Sequence, residues 1–329
     1  MRPCRFSHLV SAILHLMPAH HDMKGRWRVA GLFLGCFWFA LMSPHRVPGA
    51  EPGQSPKLEE LERTIRTLVE GAGDVAVAYC RLSDGEQVFI KGDERFHPAS
   101  TMKVPVMMEV FRQAEEGTLA LDGRIRLKNE FESIADGSRY SLNVADDSET
   151  TLYRHLGDER TVRDLVRLMI TESSNLATNL LIERVTAARV SELMKSMGAG
   201  DVRVLRGVED NRAFQRGLNN ETTARGLATI FRQLAARRVV SAKASEEMLA
   251  ILRDQKFNEG IPAGLPAGVP VAHKTGWITA ISHDAAIVEP GGRSPYVLIV
   301  LTRGIKDPAK AHELIARVSR AVYEHTLGQ

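Results

Sequence analysis

The sequence has little cysteine and none of the common metal-binding motifs. Only three cysteines occur among 329 residues, and two of them, Cys4 and Cys36, fall within the first 50. The third, Cys80, lies in an apolar, strand-like run, so we expect a buried core thiol and no internal disulfide. Neither an H-E-x-x-H sequence nor a Cys/His cluster is present, and we expect no metal and no cofactor. The missing G-x-S-x-G sequence argues against an α/β-hydrolase nucleophile elbow.

An excess of charge of one sign is also missing once the N-terminal segment is set aside. The formal charge is +3, but residues 1–50 hold six basic residues and one acid. The remaining chain therefore carries 37 basic and 39 acidic residues, the totals of 43 and 40 less those in the first 50. A chain without a basic excess is poorly suited to neutralising phosphates, and we expect no nucleic-acid partner.

The longest apolar run, at 29–42, is shorter than the ~20 residues that a membrane-spanning helix needs. It follows three basic residues and precedes small, helix-breaking residues that end at Ala50, which is the order of an export signal. We predict a signal peptide over 1–50, cleavage near Ala50, no stable membrane insertion afterwards, and a periplasmic or secreted protein. Because residues 1–22 add nothing that such a signal needs, a true start at Met23 is an alternative.

Hydrophobic periodicity predicts strands near both ends of the remaining chain and helices between them. Strand-like runs at 75–82 and 87–90 are joined by Ser-Asp-Gly, and those at 285–288 and 296–301 by Pro-Gly-Gly. Helical spacing is found at 58–69, 104–116, 161 onward, 176–185, 190–197, 224–237, 246–253 and 308–325, with mostly loop at 130–158.

This order predicts an α/β (α+β) protein with one catalytic domain over 51–329. An antiparallel sheet would be built from both chain ends, about 57–98 and 260–329, with an all-helical lobe inserted at about 99–259. A site would lie between the two lobes, where clefts usually form. We expect a monomer.

The four residues Ser100-Thr101-Met102-Lys103 carry the clearest chemical signal. A lysine three residues after a serine on one helix points to the same face, and a neutral amine there can take the hydroxyl proton. Burial or a second cation would keep such a lysine neutral. The tetrad is the only S-x-x-K match in the chain. Alone it also fits an ordinary helix start with an exposed lysine.

Two further polar motifs follow. Ser173-Ser174-Asn175 precedes a predicted helix, and by itself it fits a helix N-cap. Lys274-Thr275-Gly276 lies on or beside a strand, where glycine lets another backbone approach closely; by itself it fits an edge strand that carries a charge.

These three motifs, in this order, resemble those of the class A serine β-lactamases and the related penicillin-binding proteins. The resemblance covers roughly Leu58 to the C-terminus and implies the β-lactamase/transpeptidase-like fold. Neighbouring segments that share it are His97-Pro98-Ala99, Val104-Pro105-Val106, Thr161 to Leu165, Asn179-Leu180-Leu181 and Thr222-Thr223-Ala224.

The resemblance also implies a catalytic role for three side chains. Ser100 Oγ would attack a lactam carbonyl and form an acyl-enzyme, and Lys103 would accept or relay its proton. Ser173 would pass a proton to the departing lactam nitrogen.

The remaining motif residues would bind the substrate. Asn175 would contact Lys103 and the substrate side-chain amide, and Lys274 would supply a second cation. Thr275, beside Gly276, would bind the substrate carboxylate. The backbone N–H groups of Ser100 and Trp277 would form the oxyanion hole.

Two departures from the family pattern concern these motifs. Ser174 stands where the family usually has Asp, a change that we expect the turn to tolerate. After Gly276 the chain reads Trp277-Ile278-Thr279-Ala280 instead of small polar and glycine residues, and Trp277 would narrow the site against bulky substrates.

A third departure concerns deacylation. Class A enzymes carry a glutamate followed closely by Leu-Asn, and no such sequence occurs in 207–223. Glu209 is the best-placed acid to activate the deacylating water on a reshaped loop, with Asp210 and Glu221 as lesser candidates. The alternative for Glu209 is a solvated loop carboxylate.

We therefore expect an exported class A-type β-lactamase that hydrolyses the lactam amide through an acyl-enzyme on Ser100. A D-alanyl-D-alanine peptidase or an esterase-like relative would share the first half-reaction, with a cell-wall peptide or another small molecule as substrate. A non-catalytic binder of β-lactams or peptidoglycan fragments is a further alternative, but it would have no need of Ser100, Lys103, Ser173 and Lys274 together.

Overall fold

The computed structural model describes residues 55–328, and their centre is a five-stranded antiparallel sheet. The order across the sheet is β2-β1-β9-β8-β7, so the two N-terminal strands pair with three strands from the C-terminal end. Two small two-stranded sheets, β3-β6 and β4-β5, lie in the intervening chain. The strands are β1 Asp74–Arg81, β2 Gln87–Ile90, β3 Arg124–Arg126, β4 Phe131–Glu132, β5 Arg139–Tyr140, β6 Glu159–Thr161, β7 Val271–Ile278, β8 Ile281–Val288 and β9 Tyr296–Arg303.

Helices cover both faces of the sheet and fill the segment between β2 and β7. They are α1 Pro56–Val69, α2 Lys103–Glu115, α3 Val162–Thr171, α4 Asn175–Val185, α5 Ala187–Ser196, α6 Asn211–Gln215, α7 Ala224–Ala235, α8 Ala242–Arg253 and α9 Pro308–Leu327. Short 3₁₀ turns occur at Ala99–Met102, Val144–Asp146, Leu152–His155 and Ile261–Gly264. The predicted fold class is confirmed.

Alternation along the central strands separates two hydrophobic cores, because successive side chains point to opposite faces. Val75, Val77 and Tyr79 of β1 pack with α1 and α9, whereas Ala76 and Ala78 belong to the larger core that includes α2, α4 and α7. Cys80 is a free, buried thiol of this larger core. The helical segment is therefore anchored to one face of the sheet.

The structure refines several predicted boundaries. The helix expected to run from Ser100 is a 3₁₀ turn followed by α2, and β8 begins at Ile281, four residues before the predicted strand. The short helix α6 was not predicted. The predicted signal peptide and its cleavage site lie outside the described residues. Between residues 55 and 328, no helix is long and apolar enough to cross a membrane.

Strand β7 positions the site because it is an edge strand. Its outer edge has no neighbouring strand in the described sheet and instead approaches the 3₁₀ turn that carries Ser100. Unpaired N–H and C=O groups of an edge strand are available to another extended chain or a ligand.

Candidate active site

Ser100 lies in the 3₁₀ turn Ala99–Met102, which leads directly into α2 at Lys103. Ala99 has φ 46°, a left-handed conformation that is strained for a non-glycine residue. Its N–H donates to His97 Nδ1 at 3.1 Å, and burial lowers the pKa of His97 to about 4, which keeps this imidazole neutral. In the part of the chain that the structure describes, Ser100 Oγ has no hydrogen-bond partner. The hydroxyl therefore faces its cavity unengaged.

Lys103 is fully buried beneath this turn. Its Nζ lies 2.5 Å from Ser173 O, 3.2 Å from Ser173 Oγ and 3.0 Å from Asn175 Oδ1. Desolvation lowers the pKa of Lys103 from 10.5 to about 7, against smaller opposing effects of the Asp147 and Glu209 charges. A free amine that can accept a proton is thus accessible near neutral pH.

A second buried lysine shares the same serine hydroxyl. Lys274 Nζ donates to Ser173 Oγ at 3.1 Å and to Thr275 O at 2.9 Å. Burial, followed by the neighbouring charge of Lys103, lowers the pKa of Lys274 well below its ordinary value. Ser173 Oγ thus lies between two amines, an arrangement through which a proton can pass.

The second motif forms the turn between α3 and α4. Ser173 has φ 59°, and Ser174 is the N-cap of α4, with its Oγ accepting from Ala177 N at 3.2 Å. Asn175 is the first residue of α4, and its side chain extends to Lys103 on one side and to Glu209 on the other.

The third motif brings β7 against the nucleophile. A Cβ atom placed on Gly276 would lie 2.7 Å from Ser100 N and 3.0 Å from Thr101 N, closer than side-chain carbons normally approach backbone. Only glycine permits this approach, and it brings the backbone of Trp277 to the same turn.

The side chains of Thr275 and Trp277 face a second cavity on the other side of β7. Thr275 lines this cavity, of about 370 Å³, and its Oγ1 has no partner among residues 55–328. Its assignment to the substrate carboxylate stays a prediction. The Trp277 ring packs edge-on against Phe257 at 4.8 Å, is 40% exposed, and lines both cavities.

Glu209 lies on a loop that faces the second motif. It has φ 60°, and its carboxylate accepts from Asn143 N at 2.9 Å and from Asn175 Nδ2 at 3.4 Å. Desolvation raises the pKa of Glu209 above its ordinary 4.5, while the hydrogen bond from Asn143 N opposes that increase. The side chain is therefore held in the site and is not a freely solvated loop carboxylate.

The loop is held by two asparagines, Asn179 and Asn220, that are not among the predicted site residues. Asn179 accepts from Val208 N at 2.7 Å and donates to Val208 O at 3.0 Å, while a Cβ on Gly207 would collide with Asn179 and Tyr140. Asn220, at the C-terminal end of the loop, accepts through Oδ1 from Leu205 N at 2.8 Å and from Arg206 N at 3.0 Å, which ties the two ends of the loop together. The segment Asn179-Leu180-Leu181, which shares the family resemblance, could have indicated Asn179. No local sequence feature indicates Asn220.

The lesser candidates for the base have structural roles. Asp210 is buried, caps α6 through Ala213 N at 3.0 Å, and accepts from Ser133 Oγ at 2.6 Å. Glu221 forms ion pairs with Arg95 and Arg203, outside the cavity that Ser100 lines.

The first two motifs, the loop and Trp277, which follows the third motif, line one cavity of about 940 Å³. Ser100, Asn175, Glu209 and Trp277 line it, while the two lysines lie buried beneath. No group of three or more His, Cys, Asp or Glu residues within 55–328 could hold a metal ion. The arrangement therefore offers a serine nucleophile, a partly neutral amine, a hydroxyl relay and a carboxylate.

Comparison with known proteins agrees with this geometry. The profile of the β-lactamase enzyme family matches residues 60–326, nearly the whole described chain. The chain belongs to the β-lactamase enzyme family. This confirms the predicted family, and at the family level the chain is a class A β-lactamase-like hydrolase.

Individual relatives of this β-lactamase family member are distant but align over most of their length. β-Lactamase OXY-1 of Klebsiella oxytoca is 24% identical over 307 residues, which covers 92% of this chain and 99% of the relative. A β-lactamase structure from Sphaerobacter thermophilus superposes with a TM-score of 0.71 at 28% identity, covering 82% of this chain and 98% of that one. A mutant of PBP-A, solved as an acyl-enzyme with penicillin G, superposes with a TM-score of 0.71 at 28% identity, and the match covers 83% of this chain and 98% of that one.

Proposed function

We propose that this protein is an exported class A-type β-lactamase that opens the lactam ring through an acyl-enzyme on Ser100 and frees itself with Glu209 as general base. The observation that carries the proposal is the convergence of Ser100, the two-lysine relay at Ser173 and the tethered Glu209 on one cavity. The acylated PBP-A mutant supports covalent chemistry of this kind in a protein of similar structure.

Acylation begins with proton transfer from Ser100 Oγ to the neutral amine of Lys103, while Oγ attacks the lactam carbonyl carbon. The negative charge on the carbonyl oxygen is met by the N–H groups of Ser100 and Trp277, which the close approach at Gly276 brings together. Collapse of this intermediate breaks the C–N bond of the lactam. Ser173 Oγ gives a proton to the departing nitrogen and regains one from the adjacent lysines.

Deacylation requires a water molecule activated on the acyl-enzyme. Glu209 takes a proton from this water, which attacks the ester carbonyl. When the C–O bond to Ser100 breaks, the proton held by Glu209 returns to Oγ, so both groups end in their starting states. Raising the pKa of a carboxylate makes it a stronger base, so the partial burial of Glu209 favours this role. A D-alanyl-D-alanine peptidase would acylate by the same steps with a peptide carbonyl.

The proposal is tested by mixing the purified protein with a chromogenic cephalosporin and following turnover together with intact mass. We expect rapid turnover and, on rapid quenching, a covalent adduct that Ser100→Ala abolishes. A long-lived adduct with little turnover would favour the peptidase. No adduct at all would refute the proposal and favour a binder or an esterase-like enzyme.

The role of Glu209 has its own test. Glu209→Gln should leave acylation within a few-fold and slow deacylation about 10²- to 10⁴-fold, trapping the adduct. Glu221→Gln is the matched control, because this glutamate lies near the end of the same region and pairs with arginines outside the cavity. Unchanged turnover in Glu209→Gln would dismiss Glu209 as the base.

Export is proposed from the sequence of residues 1–50. Expression in a bacterial host followed by N-terminal sequencing of the periplasmic or secreted protein should give a new terminus near Ala50. Retention of the leader in the cytoplasm would refute this part.

A further inference from the structure

The N-terminal turn of α4 receives a carboxylate from a distant segment. The first N–H groups of a helix have no partner within the helix and need external acceptors. Ser174 satisfies only that of Ala177, so those of Asn175 and Leu176 remain. Both donate to Asp147, Asn175 N at 2.9 Å to each carboxylate oxygen and Leu176 N at 2.9 Å to Oδ2.

Asp147 is itself held rigidly. It is 6% exposed, and Oδ2 accepts from Tyr153 Oη at 2.8 Å while Oδ1 accepts from Glu149 N at 3.1 Å. Its contacts reach three separate parts of the chain: the turn after Val144–Asp146, the turn Leu152–His155 and the start of α4. A carboxylate with donors on both oxygens cannot rotate without losing several hydrogen bonds.

The turn that Asp147 fixes carries catalytic contacts. Asn175 binds Lys103 through Oδ1 and Glu209 through Nδ2, and Ser173 precedes it by two residues in a strained conformation. A shift of this turn would therefore displace the relay hydroxyl and loosen the contacts of both the proton acceptor and the base.

We propose that Asp147 is a positioning residue of this active site. Its carboxylate, which comes from the loop between β5 and β6, binds the first N–H groups of α4, where Ser174 of the motif has no carboxylate to offer. The expected effect of Asp147 on the acylation rate rests on the proposed function. The expected effect on the order of the first turn of α4 does not depend on that function.

The charge of Asp147 also affects the pKa of Lys103, which can be measured. Burial lowers the pKa of Lys103, and the charges of Asp147 and Glu209 raise it. The neighbouring Lys274 has its own pKa lowered by burial and by the Lys103 charge. Removing the Asp147 charge should therefore move the pKa of Lys103 further down. Simple loosening of the turn would bring in water and move it up.

The test compares Asp147→Asn with Asp147→Glu. In Asp147→Asn we expect the second-order rate of acylation to fall about 10- to 100-fold, because small displacements of reacting groups have effects of this size. The pH midpoint of acylation should also move below that of the parent. Asp147→Glu keeps the charge but displaces it, so the rate should fall while the midpoint stays. Asp158→Asn is the control and should behave as the parent, because Asp158 is an exposed acid that pairs with the nearby His155.

Two measurements are independent of any substrate. Hydrogen exchange at the amides of Asn175 and Leu176 should accelerate in Asp147→Asn, and NMR titration of Lys103 should show the lowered midpoint. If the parent protein forms no adduct, the proposed function fails while these measurements still decide the inference. If either folded Asp147 variant acylates at the parent rate, or if exchange is unchanged, Asp147 does not position the site. Should Asp147→Asn fail to fold, Asp147→Glu decides alone.

Discussion

Replacing Gly276 with alanine should separate binding from chemistry at this site. The added methyl group would lie 2.7 Å from Ser100 N, whereas ordinary contacts begin at 3.4 Å. Strand β7 and the 3₁₀ turn that carries Ser100 must therefore separate by about 0.7 Å. Both candidate oxyanion donors, the N–H groups of Ser100 and Trp277, lie on the two sides of this contact. The substitution therefore widens the oxyanion hole without removing a polar group.

The size of the effect follows from the hydrogen bonds that would be lengthened. Loss of one oxyanion donor costs roughly 3 kcal/mol, and a misplacement near 1 Å can cost about 100-fold in rate. We expect the acylation rate of Gly276→Ala to fall about 100-fold with a smaller change in substrate affinity. Crowding in a packed region should also lower the unfolding free energy by about 1–3 kcal/mol.

The assay is stopped-flow acylation with a chromogenic cephalosporin, together with thermal unfolding. Gly291→Ala is the matched control, because a Cβ there meets nothing within 4 Å, and it should change neither measurement. A Gly276→Ala protein with the parent's acylation rate and normal stability would show that the close approach of β7 is not needed for catalysis.

Three further predictions concern charge, specificity and stability. Because acylation needs the deprotonated amine of Lys103, its rate should rise through about pH 7 and level off above, and a midpoint near 10 in the pH–rate profile would contradict the burial argument. Phe214 is 52% exposed in the cavity wall, so Phe214→Ala should raise KM about 3- to 10-fold for substrates with an aromatic acyl group but not for those with a methyl group. Glu109 is fully buried and pairs with Arg112 and Arg189, so Glu109→Gln should lower the free energy of unfolding by about 1–3 kcal/mol in urea titration while kcat stays unchanged.

The strands and helices that alternation and spacing predicted are those whose burial pattern is regular. β8 shows why a boundary was missed. Its first half contains Ser282, His283 and Asp284, which look like loop residues but are buried and paired: Asp284 Oδ1 with His273 Nδ1 at 2.9 Å, and His283 Nε2 with His97 O at 2.9 Å. Partners distant in the chain make polar residues acceptable inside a sheet.

The residues of the candidate site likewise fall into two groups, those predictable from local sequence and those brought together only by the fold. The residues of the three motifs could be found because their chemistry depends on local spacing, as for Ser100 and Lys103. The support of Glu209 could not, because Asn143, Asn179 and Asn220 approach its loop from different elements. Asp147 was missed for the same reason, since only the folded chain places it at the start of α4.

Backbone strain explains why those distant contacts matter. Ala99, Ser173 and Glu209 are three of the eight non-glycine residues with positive φ in the described chain, and each supplies or adjoins a reacting group. Such conformations cost roughly 1–3 kcal/mol apiece. Each is restrained by a hydrogen bond: Ala99 locally by His97, Ser173 by Lys103 of α2, and Glu209 by Asn143 of a distant loop.

Strain held in this way keeps the reacting groups in place before substrate arrives. If Ser173 relaxed to an ordinary conformation, its carbonyl would lose the hydrogen bond from Lys103 of α2, and relaxation of Ala99 would break the local hydrogen bond to His97. Preorganised donors and acceptors need no rearrangement as charge develops in the transition state. The packing of the two cores therefore offsets the cost of the strained conformations and keeps Ser100, the two lysines and Glu209 directed at one site.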